Sequence, residues 1–231
     1  MSVDDSPADA VPGGTSRRDL AVARVLDPAR ARAETRVQRF LDAALELMNS
    51  TSGKEFTVQE VVERSGQSLR SFYQYFDGKY ELLLALFEDS VRSTAKQLRA
   101  QVDAEDDALE RLHRFVVEYY KLCQPPTKAR GGRQAPAALA EFAQQLLTDH
   151  PQEASRAFTP LVDLCEEILA DAADAGVIRS SLRSRRVAGF VLQSVMFNAF
   201  VTTISGSWRA ESDDVAEEMW QLLYHGLEVP S

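Results

Sequence analysis

The side chains able to do covalent or metal chemistry in this chain are few and dispersed: His113, His150, His225, Cys123 and Cys165. A metal site needs several such ligands converging, and its usual sequence signs are close pairs such as H-x-x-x-H or C-x-x-C. Neither occurs. Glu110 and His113 stand one helical turn apart, a spacing suited to a metal, but no second such pair exists on another segment. They read as a solvated pair. Gly131–Gly132 lacks the Gly-Lys-Ser/Thr ending of a phosphate-cradling loop. No nucleophile with an adjacent base can be assembled either. The chain is therefore expected not to be an enzyme, and to need no cofactor and no metal.

The patterned chemistry lies in Phe56–Leu83, FTVQEVVERSGQSLRSFYQYFDGKYELL. Thr57 and Glu60 form a Thr-x-x-Glu capping box, in which each residue satisfies a backbone N–H that the first turn of a helix leaves open. Val58, Val61 and Val62 then fall on one face at i, i+3 and i+4. Gly66 ends this helix, since glycine tolerates the left-handed conformation of a helix terminus. Ser68 is placed to cap a second helix, along which Leu69, Phe72, Tyr73 and Phe76 recur at helical spacing. Two short helices about a glycine turn are the geometry that lays the second helix in a DNA major groove.

At these residues the chain resembles the TetR family of bacterial transcriptional regulators. The family's second helix usually reads Gly-apolar-Ser, two variable positions, a small residue, Leu-Tyr-x-His-Phe, then a turn and Lys-x-x-Leu. The matching residues are Gly66, Ser68, Ser71, Phe72, Tyr73, Tyr75, Phe76, Lys79 and Leu82. Three positions depart from the pattern: Gln67 replaces an apolar residue, Tyr75 a histidine, and Gly78 a Ser or Asn. These departures are expected to bear on the DNA sequence read and not on the fold. The resemblance is specific from about Arg36 to Leu82 and covers only architecture and length beyond that.

The resemblance implies a role for each matched residue. Leu69, Arg70 and Ser71, with Gln59 from the first helix, would read base edges. Arg70 can pair bidentately with guanine O6 and N7, or serve as a phosphate contact or a solvated arginine. Leu69 can touch a thymine methyl or belong to the core beside Phe72 and Phe76. Thr57, Tyr73, Gln74, Tyr75 and Lys79 match positions that hold the sugar-phosphate backbone, Lys79 adding its charge to a helix N-terminus, and the cap Ser68 is counted among the DNA-binding residues.

The rest of the chain supplies the elements around this head. With 231 residues, 45% hydrophobic, it can bury a sizeable core. Ala, Leu, Glu, Arg and Gln dominate and strand-like alternation is missing, so the expected class is all-α. The predicted division is residues 1–34 as a disordered or Arg-rich arm, 35–80 as the helix-turn-helix domain, and 81–231 as a helical ligand-binding and dimerisation domain. The arm carries Asp4, Asp5 and Asp9 without an apolar stretch, so no signal peptide is read. Its arginines, from Arg17 to Arg39, could enter a minor groove. A helix over 36–49 precedes the motif, and further helices are predicted near 79–102, 105–124, 136–149, 151–175, 183–206 and 212–227. Pro125–Pro126 and Gly131–Gly132 mark a basic loop with Lys128, Arg130 and Arg133; Gly176 and Gly206 mark helix ends. Val187–Trp208 is uncharged, but Gln193, Ser194, Asn198 and several Ser and Thr residues argue for a buried helix, not a membrane span.

The net charge of −9 is unevenly placed: 11 basic and 9 acidic residues between Arg17 and Lys79 leave that segment at +2. The acidity lies outside the head, where it discourages non-specific binding to nucleic acid. Two free cysteines fit a reducing cytoplasm. By the resemblance, the last two helices would pair with their copies in a homodimer through Phe190, Trp220 and Leu223. Phe87, Phe115, Tyr119, Phe142, Phe197 and Asn198 would line an apolar effector cavity, though each also suits plain core. The expected function is a homodimeric repressor that binds double-stranded DNA at an inverted repeat and is released by a small, mostly hydrophobic ligand. The rival is an all-α small-molecule-binding protein whose helix-turn-helix is structural only.

Overall fold

The computed structural model describes residues 17–50, 56–123, 137–205 and 215–229. Among them the regular elements are helical, apart from an isolated antiparallel bridge between Ile178 and Glu228. The segments expected to be disordered (1–16) or looped (Pro125 to Arg133), and the helix end at Gly206, lie outside the described residues.

Helix α1, Arg17–Ser50, starts upstream of Pro28, around which the arginine-bearing segment is expected to become helical, and runs unbroken through the helix expected over 36–49. Proline removes one helical hydrogen bond, but the Ala, Arg and Glu residues around it are strong helix formers. Arg30 adds an i,i+4 bond to Glu34 at 2.8 Å. The arginines from Arg17 to Arg39, offered above to a minor-groove arm, therefore stand on a helix.

Helix α2, Val58–Ser65, has both halves of the capping box: the Thr57 N–H donates to Glu60 Oε2 at 2.7 Å and the Glu60 N–H to Thr57 Oγ1 at 3.2 Å. Gly66 closes it at φ 65°. Helix α3, Leu69–Tyr73, is capped by Ser68 Oγ, which accepts from the Ser71 N–H at 3.1 Å. It stops at Tyr73, short of the Phe76 the spacing suggested. The Tyr75 and Phe76 N–H groups both return to the Phe72 carbonyl, so Phe76 still comes round to the interior. There Phe40 of α1 meets Phe72 and Phe76 edge-on, with centroids 5.5 and 6.1 Å apart. These three rings lock α3 onto α1.

Helix α4, Lys79–Val102, leaves the head and runs into the body. Its Leu82 and Leu86 are buried, and Phe87, Val91, Ala95, Leu98 and Val102 continue the buried face. The body comprises α5 (Ala108–Cys123), α6 (Ala137–Asp149), α7 (Pro151–Asp174), a 3-10 turn (Ser180–Leu182), α8 (Arg185–Ser205) and α9 (Val215–Leu227). Helix α7 is central, packing against α4, α5, α6 and α8, while α5 also carries α8 and α9. Pro151 opens α7, where its missing N–H costs nothing, and Gly176 beyond its end adopts φ 74°. No described helix is long and apolar enough to cross a membrane.

Candidate nucleic-acid interface and ligand cavity

The caps of α2 and α3 decide which side chains of the head face outward. Leu69 is 44% exposed and Tyr73 56%, and Gln59, Ser68, Arg70 and Gln74 are exposed with them. This excludes Leu69 from the core, one of the two roles open to it. The outward face therefore combines a guanidinium, an apolar side chain, a phenol and amides. Such a surface can meet base edges and phosphates together.

Several expected contact residues are already engaged. The Thr57 hydroxyl donates to Glu60 Oε2 at 2.9 Å while accepting the capping bond, so its first task is the cap. The Gln59 amide donates to Glu63 at 2.9 Å. Tyr75 is half-buried against the head core. The Lys79 ammonium sits 4.8 Å from the centre of the Phe56 ring, which fixes the start of α4. Ser71 is a correction: its Oγ is buried with no hydrogen-bond partner among the described residues, so it turns into the head and not toward DNA. Gln67 is another, because its amide donates to the Arg36 carbonyl of α1 at 2.8 Å. That departure from the family pattern ties two helices together and leaves the base-reading face unchanged.

In the body, two adjoining cavities of about 130 and 140 Å3 meet at Tyr119, Phe158 and Met196. The first is walled by Phe87, Ser90, Val91 and Thr94 of α4, with Leu122 and Cys123 of α5 and Ala143 and Gln144 of α6. The second extends between α7 and α8, past Leu147, Val162, Gly189, Leu192 and Gln193. No lining side chain among the described residues carries a formal charge. Desolvation in this setting raises the Tyr119 hydroxyl well above its ordinary range, with Cys123 beside it as a further cause. It also pushes the Cys123 thiol up to about 12. The polar groups available to a ligand are thus neutral: Ser90, Thr94, Gln144, Gln193 and the Tyr119 hydroxyl.

Of the six expected lining residues, only Phe87 and Tyr119 face this space. Phe115 is fully buried and stacked behind Tyr119 at 6.0 Å, and Phe142 packs behind Phe87 at 6.3 Å. Phe197 is 58% exposed, on the stripe of α8 beside the cavity face, and Asn198 is half-buried off the cavity walls. The lining residues missed from the sequence do carry a signal. Phe87, Ser90, Val91 and Thr94 follow i, i+3, i+4, i+7 along α4, and Phe158, Leu161 and Val162 repeat i, i+3, i+4 along α7.

Of the three residues expected at a dimer interface on the last two helices, Trp220 is the one the fold turns inward. Phe190, Phe197 and Leu222 are exposed at 62%, 58% and 72%, and Leu223 is half-buried. Trp220 is instead interior, at 5% exposure, stacked on Tyr224 and edge-on to His113 at 5.0 Å. His113 Nε2 lies 2.7 Å from Glu217 Oε2, so the Glu110–His113 pair is not simply solvated: His113 clasps α9 onto α5. That contact holds the Glu217 carboxyl below its ordinary range. No cluster of potential metal ligands occurs among the described residues.

Residues 40–86 match the model of a family described as bacterial regulatory proteins, tetR family. No curated protein matches the chain. The fold is similar to solved regulators over most of its length. A fatty acid degradation regulator FadR from Bacillus halodurans is 19% identical, with 81% of this chain and 94% of that one covered and a TM-score of 0.61. FadR from Bacillus subtilis, solved in complex with stearoyl-CoA, is 16% identical, with 82% and 98% covered and a TM-score of 0.61. A TetR-family transcriptional regulator from Pectobacterium atrosepticum is 17% identical, with 87% and 98% covered and a TM-score of 0.61.

Proposed function

We propose that this protein is a homodimeric, sequence-specific repressor released from its operator by a small, mostly hydrophobic ligand, a reading supported by the match of residues 40–86 to the tetR family of bacterial regulatory proteins. The observation that carries DNA recognition is the outward presentation of Leu69, Arg70 and Tyr73 by a Ser68-capped helix held on the Phe40–Phe72–Phe76 cluster. Thr57, Gln74, Tyr75 and Lys79 surround that face as supports and phosphate contacts, and Arg70 reads the base. Two copies related by a two-fold axis set two such helices on successive major grooves, which calls for an inverted-repeat operator.

The effector class follows from the cavity. Its lining is apolar and uncharged, so a ligand that brings a full charge inside would lose its hydration without a partner. An apolar or neutral amphipathic molecule with one or two hydrogen-bonding groups fits, with the Tyr119 hydroxyl, Thr94 and Gln144 as its handles. The stearoyl-CoA of the Bacillus subtilis regulator shares the long apolar part of this description. Release requires that the ligand bind the DNA-incompetent state more tightly, or it shifts nothing.

Titration of the protein with duplexes drawn from the DNA flanking its own coding region, at two salt concentrations, tests the reading. A specific duplex should bind with a steep inverse salt dependence. Arg70→Ala should lose about 1–3 kcal/mol of discrimination at one base pair of each half-site. Lys79→Ala should weaken all duplexes alike and reduce the salt slope by about one. Absence of any preferred duplex would leave the rival, an all-α ligand-binding protein, in possession.

A further inference from the structure

Resting on the DNA-recognition reading above, we propose that Leu69 reads the 5-methyl group of a thymine beside the guanine that Arg70 takes, so that each operator half-site carries a thymine within one base pair of that guanine. The exposure of Leu69 carries the inference. Among the Val and Leu residues between Phe56 and Leu86, Val61, Val62, Leu82 and Leu86 are buried, and Leu69 alone is exposed, at 44%. Its neighbours on α3 turn elsewhere, since the Phe72 ring lies in the core and the Ser71 hydroxyl is buried. Tyr73, one helical turn on and 56% exposed, stands on the same face as Leu69. The outer face of α3 therefore sets an apolar ridge, Leu69 and Tyr73, beside the guanidinium of Arg70.

In the major groove the base edges present hydrogen-bonding groups, and thymine adds a methyl at C5. A leucine has neither donor nor acceptor to offer. Set against cytosine N4 or guanine O6, it strips water from a polar group without replacing the hydrogen bond. Set against the thymine methyl, it removes two apolar surfaces from water at once. Leu69 thus selects thymine by contact and rejects other bases by what it lacks. The spacing ties this thymine to the guanine. Adjacent residues of an α-helix rise about 1.5 Å and stacked bases stand about 3.4 Å apart, so Leu69 and Arg70 reach the same base step. The charge of the head gives such a contact weight. With 11 basic against 9 acidic residues from Arg17 to Lys79, the sequence-independent pull on phosphates is modest, and base contacts supply a larger share of binding. Cytosine methylated at C5 bears its methyl on the same edge, so the head also tells 5-methylcytosine from cytosine at this position.

Deoxyuridine, which is thymidine without the methyl, serves as the probe. In the preferred duplex from the flanking DNA each thymine is replaced in turn by deoxyuridine. Affinities of the wild type, Leu69→Ala and Arg70→Ala are read by fluorescence anisotropy, with thermal melts to establish folding. Leu69 faces solvent and alanine is the stronger helix former, so Leu69→Ala keeps the head folded while retracting the side chain to a single methyl. The expected result is one sensitive thymine in each half-site, within one base pair of the guanine that Arg70→Ala ceases to discriminate. There deoxyuridine should cost the wild type about fourfold in affinity per half-site. Leu69→Ala should bind the two duplexes alike and keep the wild-type salt slope, since no phosphate contact is lost. With 5-methylcytosine at that position the wild type should bind more tightly than with cytosine, and Leu69→Ala should not separate them. A wild type indifferent to deoxyuridine everywhere, while Arg70→Ala loses its guanine, overturns methyl reading and leaves DNA recognition standing. A deoxyuridine penalty that survives in Leu69→Ala gives the methyl to another side chain and overturns the role of Leu69. A sensitive thymine farther than one base pair from the guanine overturns the pairing of the two residues. Equal wild-type binding of cytosine and 5-methylcytosine overturns the methyl as the feature read. A wild type with no preferred duplex overturns DNA recognition itself, and this proposal with it.

Discussion

Ser71 shows how one side chain can carry the pattern of a DNA contact and do something else. It sits on α3 between Arg70 and Phe72, and its backbone alone is used: the N–H donates to the Ser68 cap and the carbonyl accepts from the Gln74 N–H. Its hydroxyl is buried without a partner. A buried hydroxyl that gains no hydrogen bond gives up its hydration for nothing. Ser71→Ala should therefore be neutral or should stabilise the head by up to about 1 kcal/mol. It should leave operator discrimination unchanged in the titrations that weaken Arg70→Ala. Loss of base specificity in Ser71→Ala would mean that the hydroxyl turns outward on DNA and that the head rearranges there.

Among the elements, a bidentate charged tie joins α4 and α7. Arg99 donates through both terminal nitrogens to Glu167, at 2.9 and 2.6 Å. This bidentate bond is the main cause that lowers the Glu167 carboxyl from its ordinary 4.5. A carboxylate whose folded value is depressed adds stability above its unfolded value and loses it as pH falls through the folded one. Wild type should therefore melt above Glu167→Gln at neutral pH, and the gap should close as pH drops below 4.5. Both side chains are nearly half exposed, so the gap is small and shrinks with salt. A gap that persists unchanged in acid would assign the effect to packing. Element ends written in local chemistry were legible beforehand: Thr57 and Glu60 for α2, Ser68 for α3, Pro151 for α7. The start of α1 was not, because Pro28 looks like a boundary and the surrounding helix formers outweigh it. Cavity walls were harder still. Phe87 and Phe197 are equally apolar in sequence, and α8 is apolar on several faces, so only the packing of helices decides which ring faces ligand and which faces out. Trp220 failed for the same reason, since a stripe on α9 can meet either its own chain or another.

At the scale of the whole molecule, charge and apolar surface are segregated. The segment from Arg17 to Lys79 carries +2 while the chain as a whole stands at −9, so DNA is met by the head and repelled elsewhere. In the body, Phe190 and Phe197 on α8 and Leu222 on α9 expose apolar side chains. A folded state held together by association melts at a temperature that rises with protein concentration. Wild type should show this rise in calorimetry. Phe197→Asp should lose it, since a carboxylate at the centre of an apolar interface has no partner. A melting temperature independent of concentration in both would speak for a monomer. Tyr80 joins the two ends. One residue into α4, its hydroxyl donates to Glu153 at 2.5 Å and its ring packs on Phe142 and His150, so the head is bolted to the junction of α6 and α7. Those two helices also wall the cavity. Helix α4 spans 24 residues, or ~36 Å at the α-helical rise. As a lever of that length, a tilt of about 5° swings its tip through ~3 Å, close to the ~3.4 Å step between stacked bases. If α4 pivots near Val102, that ~3 Å swing falls at Tyr80 and the head, and in the proposed dimer a two-fold axis would double it to about two base steps on the operator.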